Sequence, residues 1–331
     1  MIIFLIIINL LIFIFIKRIN RILNIYDSPD KKRKIHKIRI AKTGGIIIFI
    51  NLILFYVLNL QNYFFFNLLE NSNVHLILFG GICFFILGLI DDIRDLNPNL
   101  KLFLTTVIIL IVLLNEKSLI IESLRFSFLS DEISLRNFQI PFTVLCILLF
   151  INAINMYDGI NLQTLLYTSI LITSNLIISD NLNFIIYLLP ILFSLIILNF
   201  KNIIFLGDSG TLLIGFILSS FFILNYNDLY IKYSDTIFIF MMLPGLELLR
   251  LAFSRILKKR NPFSADRTHI HHLFLKRHDY YSVVIFNFIL VMTPVLLVFF
   301  TNLPNLTIIS LFIMIYAIII FKYQNIDFKK K

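Results

Sequence analysis

Long apolar runs recur from one end of this chain to the other, separated by short clusters of charged and amide residues. A helix rises 1.5 Å per residue, so roughly 20 apolar residues are needed to cross a bilayer. On that measure the pattern predicts eleven transmembrane helices. They lie near residues 1–16, 44–66, 75–90, 102–114, 141–154, 164–179, 184–199, 211–225, 236–257, 282–301 and 306–323. The runs 102–114 and 141–154 are short for a full crossing. There is no internal repeat and no Pro/Gly/Ser-rich linker, so residues 1–331 read as a single all-α, polytopic membrane domain. Between 115 and 140, the alternation of Leu124, Phe126 and Phe128 suggests a hairpin or a segment lying on the membrane surface.

Charge gives this pattern an orientation. The first sixteen residues have no basic residue ahead of them and no small-residue cleavage site behind. They read as a retained helix with the N-terminus outside, not as a signal peptide. Eleven crossings then leave the C-terminus in the cytoplasm. The resulting inside segments hold 25 of the 29 Lys and Arg residues, and only Lys117, Arg125, Arg136 and Lys232 fall outside. Cytoplasmic loops of membrane proteins show this bias. Moving the count by one helix would scatter the basic clusters over both sides.

Composition agrees with the membrane reading. Hydrophobic residues make up 59% of the chain and charged residues 15%, with a mean hydropathy of +0.92. So little charge could not cover the surface of a soluble domain of this length. The net charge of +10 would suggest an acidic partner in a soluble protein. Here it sits largely at the membrane boundary, where it matches anionic lipid, and no nucleic-acid partner is expected. Cys83 and Cys146 lie within apolar runs and read as buried thiols.

The inside segments also hold the polar residues that could do chemistry. Asp91 and Asp92 end the third apolar run. Paired carboxylates repel each other, and a cation such as Mg²⁺ holding a phosphorylated substrate would relieve the repulsion. A merely acidic helix end is disfavoured by the helix dipole. Asn152 and Asn155 share a helix face, and Asp158, Gly159 and Asn161 follow in a turn; helix-to-helix hydrogen bonding is the alternative for the two amides. In Gly207-Asp208-Ser209-Gly210, backbone N–H groups are free to meet an anion while Asp208 binds a cation; an ordinary helix cap is the alternative. Around His269-Ile270-His271-His272, Arg267 and nearby basic residues favour anion binding. Helical spacing puts His269 and His272 on one face and turns His271 away, and no cysteine completes a zinc site. The basic stretch from Asp27 to Gly45 reads mainly as a lipid-facing anchor.

In order and type, Asp91-Asp92, Asn152 to Gly159, Gly207 to Gly210 and His269 to His272 resemble the polyprenyl-phosphate N-acetylhexosamine-1-phosphate transferases. The resemblance runs from about Asp27 to Leu273. It is closer to the branch that starts O-antigen, enterobacterial common antigen and teichoic-acid synthesis. It implies transfer of a sugar 1-phosphate, such as GlcNAc 1-phosphate, from a UDP-N-acetylhexosamine to undecaprenyl phosphate, with release of UMP. Mg²⁺ is the implied cofactor, with Mn²⁺ as a substitute, and the implied setting is the bacterial inner membrane with the site facing the cytoplasm. The active-site segments are then 17–43, 91–101, 152–164, 200–211 and 250–281. Asp91, Asp92 and Asp208 are the implied catalytic residues, and Asp208 and Asn155 the metal ligands. Lys101, Asn152, Asn155, Asp158, Asn161, Arg267, His269, His271 and His272 are the implied substrate-binding residues. A homodimer is allowed but not required.

The chain departs from the family pattern at Asn161 and Glu247, where Asp is common, at Thr105, where Gln is common, and before Phe205, which lacks the usual Pro-Ala. Two rival readings remain at this point. Asp91-Asp92-x-x-Asp95 also fits a membrane prenyltransferase, which would need a second aspartate-rich motif. A lipid or solute transporter would place its charges near the bilayer midplane rather than at one interface.

Overall fold

The computed structural model describes residues 2–29, 36, 38–60, 73–179, 188–262 and 268–324. Arg267 and the basic residues 31–34 lie outside them. Thirteen α-helices are described; each predicted apolar run overlaps one, except 236–257, which holds two. They are α1 (Ile2–Leu23), α2 (Gly44–Leu60), α3 (Asn73–Arg94), α4 (Pro98–Asn115), α5 (Gln139–Tyr157), α6 (Gln163–Ile178), α7 (Leu188–Phe200), α8 (Gly207–Asn227), α9 (Ser234–Phe240), α10 (Met242–Leu257), α11 (Ile270–Leu275), α12 (Tyr280–Phe300) and α13 (Asn305–Gln324). The protein is an all-α, multi-pass membrane protein. Among the described residues six helices are long and apolar enough to span a membrane, and a seventh span forms if α9 and α10 count as one. The run predicted at 236–257 is therefore not a continuous helix: its two halves meet at 82°. Tyr167 of α6 packs at that corner and donates its hydroxyl to the Phe240 carbonyl at 3.1 Å.

Two small antiparallel hairpins complete the architecture. The segment 115–140 forms a hairpin, β3 (Ser123–Leu124) with β4 (Ile133–Ser134). In the other, β1 (Tyr26–Asp27) pairs with β2 (Ile40–Ala41). The strand β2 continues into the segment before α8: Phe205 N–H donates to Ala41 O at 2.7 Å, and Gly44 N–H donates to Phe205 O at 2.9 Å. The N-termini of α2 and α8 are thereby held side by side.

The core centres on α8, whose most apolar stretch is 83% buried, against 17% for α13 at the rim. Its main partner is α3. Glycines on α3 set how close the two helices come. A Cβ on Gly88 would lie 2.4 Å from the Asp208 carbonyl oxygen, and one on Gly80 would lie 2.5 Å from the Phe216 ring. Without those side chains the two backbones touch, and Phe84 stacks on Phe216 with ring centroids 4.8 Å apart. Polar bonds within the bundle add less. Asn9 and Asn51 exchange hydrogen bonds of 2.9 and 3.2 Å between α1 and α2, and Asn225 donates to Asn175 at 2.9 Å. Such bonds contribute about 0.6 kcal/mol each in a membrane, so close packing dominates.

Candidate active site

Two helix ends meet because of this packing. The helix α3 runs on to Arg94, so Asp91 and Asp92 occupy its last turn and not a loop. Asp91 Oδ1 accepts the Leu96 N–H at 2.7 Å, which closes the turn into α4. There Asn97 caps the new helix by accepting the Asn99 N–H at 2.9 Å, with Pro98 at the first helical position. This short turn places Lys101 one turn into α4. Its ammonium reaches Asp91 Oδ2 at 2.7 Å and Asp208 Oδ1 at 3.0 Å.

The helix α8 begins at Gly207, four residues earlier than the apolar pattern suggests, so Asp208 lies in its first turn and is not its cap. Asp92 caps it instead, from α3. Its Oδ1 accepts the Asp208 N–H at 3.0 Å and its Oδ2 the Ser209 N–H at 2.9 Å. Gly207 has φ +74°, and a Cβ there would lie 2.6 Å from Asp92 Oδ2, so both backbone freedom and empty space are required. The negative charge sits at the positive end of the helix dipole. Lys42, directly after β2, adds a contact to Asp92 Oδ1 at 3.5 Å. Desolvation acts to lower the Lys42 pKa, but the combined fields of Asp92, Asp208, Asp27 and Asp95 outweigh it and raise the pKa.

From α5, Asn155 donates its Nδ2 to Asp208 Oδ1 and to Thr211 Oγ1, the latter at 2.8 Å. Asp91, Asp92, Asp208, Lys101 and Asn155 therefore form one connected group. Among the described residues no three His, Cys, Asp or Glu side chains converge as a closed metal cage. The donor set still suits Mg²⁺, which takes one or two carboxylates and fills its remaining positions with water and substrate phosphate. For Asn155 to share an ion with Asp208, its amide must turn over and present Oδ1 in place of Nδ2.

A cleft of about 620 Å³ opens beside this group, within the usual size range of ligand sites, roughly 300–1,000 Å³. Asp92, Asn155, Asp158, Asn161, Asp208, His269, His271 and His272 all line it. The histidines differ from the helical expectation. His269 is extended (φ −62°, ψ 150°) and precedes α11, so all three rings gather, with centroid separations of 4.4 to 6.2 Å. His271 is 1% exposed. Burial, with His272 and His269 beside it, holds its pKa well below the usual histidine range, so the ring is neutral. Its Nε2 makes no hydrogen bond within the protein. That atom lies 2.1 Å from where a Cβ on Gly159 would be.

Two predicted residues do other work here. Asn152 turns back on its own helix, donating to Leu148 O at 2.8 Å. Asn161 is tied into the cleft wall, donating to Asn202 Oδ1 at 2.6 Å and accepting from the Tyr280 hydroxyl at 2.9 Å. Arg267 lies outside the described residues. The cleft also gains Asp27, His36 and Lys42, which the sequence reading places in the general basic anchor, and Arg255, one of the basic residues it places near the histidines. Thr43-Gly44-Gly45 was the available signal, because glycines at a helix start mark a close backbone approach.

Comparison with known proteins bears on this arrangement. The profile of glycosyl transferase family 4 matches residues 74–225, from α3 to α8, and so spans the carboxylate, lysine and asparagine group. Over that stretch, a little under half of its length, the chain is similar to glycosyl transferase family 4. A Thermotoga maritima relative, undecaprenyl-phosphate alpha-N-acetylglucosaminyl 1-phosphate transferase, is 28% identical over 76% of this chain and 73% of its own. The Salmonella typhi protein of the same name is 27% identical over 80% and 73%. A Bacillus subtilis protein, named a probable undecaprenyl-phosphate N-acetylglucosaminyl 1-phosphate transferase, is 26% identical over 78% and 71%. The histidine cluster and Glu247 lie beyond the matched profile.

Proposed function

We propose that this protein is a glycosyl transferase of family 4 that transfers an N-acetylhexosamine 1-phosphate, such as GlcNAc 1-phosphate, from a UDP-sugar to undecaprenyl phosphate, starting a cell-envelope polysaccharide. The observation that carries the reading is one polar cleft lined both by Asp92, Asn155 and Asp208 and by three histidines. The names of the relatives support the acceptor and the sugar phosphate. A lipid phosphate oxygen attacks the phosphorus that bears the sugar. A new P–O bond forms, the bond to the bridging oxygen of the diphosphate breaks, and UMP leaves. The lipid phosphate is already ionised, so positioning and charge neutralisation matter more than a strong base.

The chain offers groups for each task. Lys101 and Lys42 bring positive charge to the carboxylate side. Neutral His271 presents an unpartnered ring nitrogen to a donor phosphate. Asp92 fixes the start of α8, and with it Asp208. Asp208, with Asn155 turned over, would hold Mg²⁺ or Mn²⁺, whose charge offsets that of the two phosphates.

For topology, we propose eleven crossings, an outside N-terminus, a cytoplasmic C-terminus and a site on the cytoplasmic face of the bacterial inner membrane. The bias of Lys and Arg supports that orientation. The segments 17–43, 91–101, 152–164, 200–211 and 250–281 then share one aqueous face. The test is to supply membranes holding the protein with UDP-GlcNAc, undecaprenyl phosphate and Mg²⁺, and to follow UMP. UMP release that depends on the lipid and disappears in Asp208→Ala is expected. No UMP from any of several UDP-N-acetylhexosamines would refute the reading.

A further inference from the structure

The residue Glu247 lies in α10, 4% exposed, and takes no part in the chemistry described so far. It is the centre of a polar knot that reaches three helices. Arg250, one turn on, grips it with two hydrogen bonds, Nε to Oε1 at 3.0 Å and Nη2 to Oε2 at 3.0 Å. Tyr316 of α13 donates its hydroxyl to Oε1 and also contacts Arg250 Nε at 2.8 Å. The other half of the knot faces the histidines. Glu247 Oε2 accepts the Ile270 N–H at 2.9 Å, and Arg250 Nη2 donates to Thr268 O at 2.8 Å. His269 Nδ1 lies 3.9 Å from the same carboxylate oxygen.

Both backbone contacts flank His269, at the point where the chain turns from extended into α11. A turn of only six helical residues has little intrinsic stability. Its direction must be imposed from outside. We infer that Glu247 is a positioning residue: with Arg250 and Tyr316 it fixes the entry into α11 and so aims His269, His271 and His272 at the donor diphosphate. Substrate does not touch it. The carboxylate is suited to the task because it accepts from a guanidinium, a hydroxyl and a backbone N–H at once. A shorter Asp on α10 would not reach all three, which gives the Glu at this position a reason. The inference rests on the proposed donor-binding role of the histidines.

The experiment compares wild type with Tyr316→Phe, Glu247→Gln and Arg250→Lys in native membranes. Two readouts are taken: the KM for UDP-GlcNAc and for undecaprenyl phosphate, and the reactivity of His271 towards diethylpyrocarbonate, followed by mass spectrometry. A hydrogen bond to a charged group lost from the knot should raise the donor KM about tenfold in Tyr316→Phe and more in Glu247→Gln, with acceptor KM within about twofold of wild type. Arg250→Lys keeps the charge and should fall between Tyr316→Phe and Glu247→Gln. His271, protected in wild type, should become reactive in the same order. Unchanged donor KM and unchanged protection in all three variants would overturn the inference. So would equal losses for both substrates together with a lowered thermal midpoint, which marks general destabilisation. Were the wild type to turn over no UDP-sugar, the functional reading alone would fall, and the protection of His271 would still decide the positioning role.

Discussion

The adjacent carboxylates Asp91 and Asp92 should respond differently to the same mutation, and Asp92→Asn is the informative case. The Asp92 side chain is fully buried, and both its oxygens accept backbone N–H groups at the start of α8. Asn offers one acceptor and one donor. One bond survives, weakened by the lost charge, and the other becomes two donors face to face. The amide has no room to swing aside, since Gly207 lies against it where a Cβ would be only 2.6 Å away. Hydrogen bonds to charged groups contribute roughly 1.5–3 kcal/mol, and an unmade buried donor costs about 1–3 kcal/mol more, so a loss of about 3–5 kcal/mol is expected. Asp208, displaced with its helix turn, should lose at least about tenfold in kcat, because misplacement of about 1 Å can cost a hundredfold. In contrast, Asp208→Asn should abolish turnover with little loss of stability, since it removes one of three crowded negative charges. Thermal unfolding in detergent, paired with UMP release, separates the two effects. An Asp92→Asn protein as stable as wild type would refute the capping argument.

Gly88→Ala should wedge α3 from α8, because the new methyl would meet the Asp208 carbonyl at 2.4 Å; overpacking of this kind costs at least about 1–3 kcal/mol, read as a lowered thermal midpoint. Gly159→Ala should push on His271 Nε2 and raise the KM for the UDP-sugar while sparing the lipid KM. Lys101→Met leaves Asp91 and Asp208 without their shared ammonium and should cost about 3 kcal/mol; added Mg²⁺ should then raise the thermal midpoint more in the variant than in wild type. A chelator should stop UMP release, and Mg²⁺ or Mn²⁺ should restore it. His271 gives a pH signature. Its folded pKa is depressed, so below about pH 6.5 the unfolded chain takes up a proton that the folded chain refuses. Its contribution to stability is full above that pH and declines as the pH falls towards the folded pKa. A melting series from pH 7.5 to 5, where His271→Gln should be flatter than wild type, tests this.

The helices were legible because lipid forces apolar residues into long unbroken runs, and each predicted run does contain a helix. The pattern failed where a run was interrupted by geometry and not by polarity. Nothing between Phe240 and Met242 is polar, yet the chain bends by 82° there. Helix starts were placed late for a related reason. Polar residues at a helix end look like loop, so Asp208 and Ser209 were assigned outside α8, although a carboxylate on α3 caps that helix for them. His271 was assigned to the wrong side because the spacing argument assumed a helix through His269, which is extended. Glu247 was visible only as a departure from a familiar pattern. Its partners Tyr316 and Ile270 are 69 and 23 residues away in sequence, a distance that no local motif spans. The cluster of carboxylates, amides and histidines was legible as types, but which side chain supports and which faces the cleft is decided by tertiary contacts between distant segments.

The cap that Asp92 supplies to α8 also has a meaning for biosynthesis. The two partners are separated by 116 residues, so α3 enters the membrane well before α8 is made. Until they dock, the first turn of α8 lacks its acceptor and Asp208 has no fixed position. A chain in which α3 and α8 have not docked therefore holds the aspartates but not their arrangement. Assembly and site formation are thus coupled through the connectivity: the aspartate centre is acquired only when α3 and α8 dock.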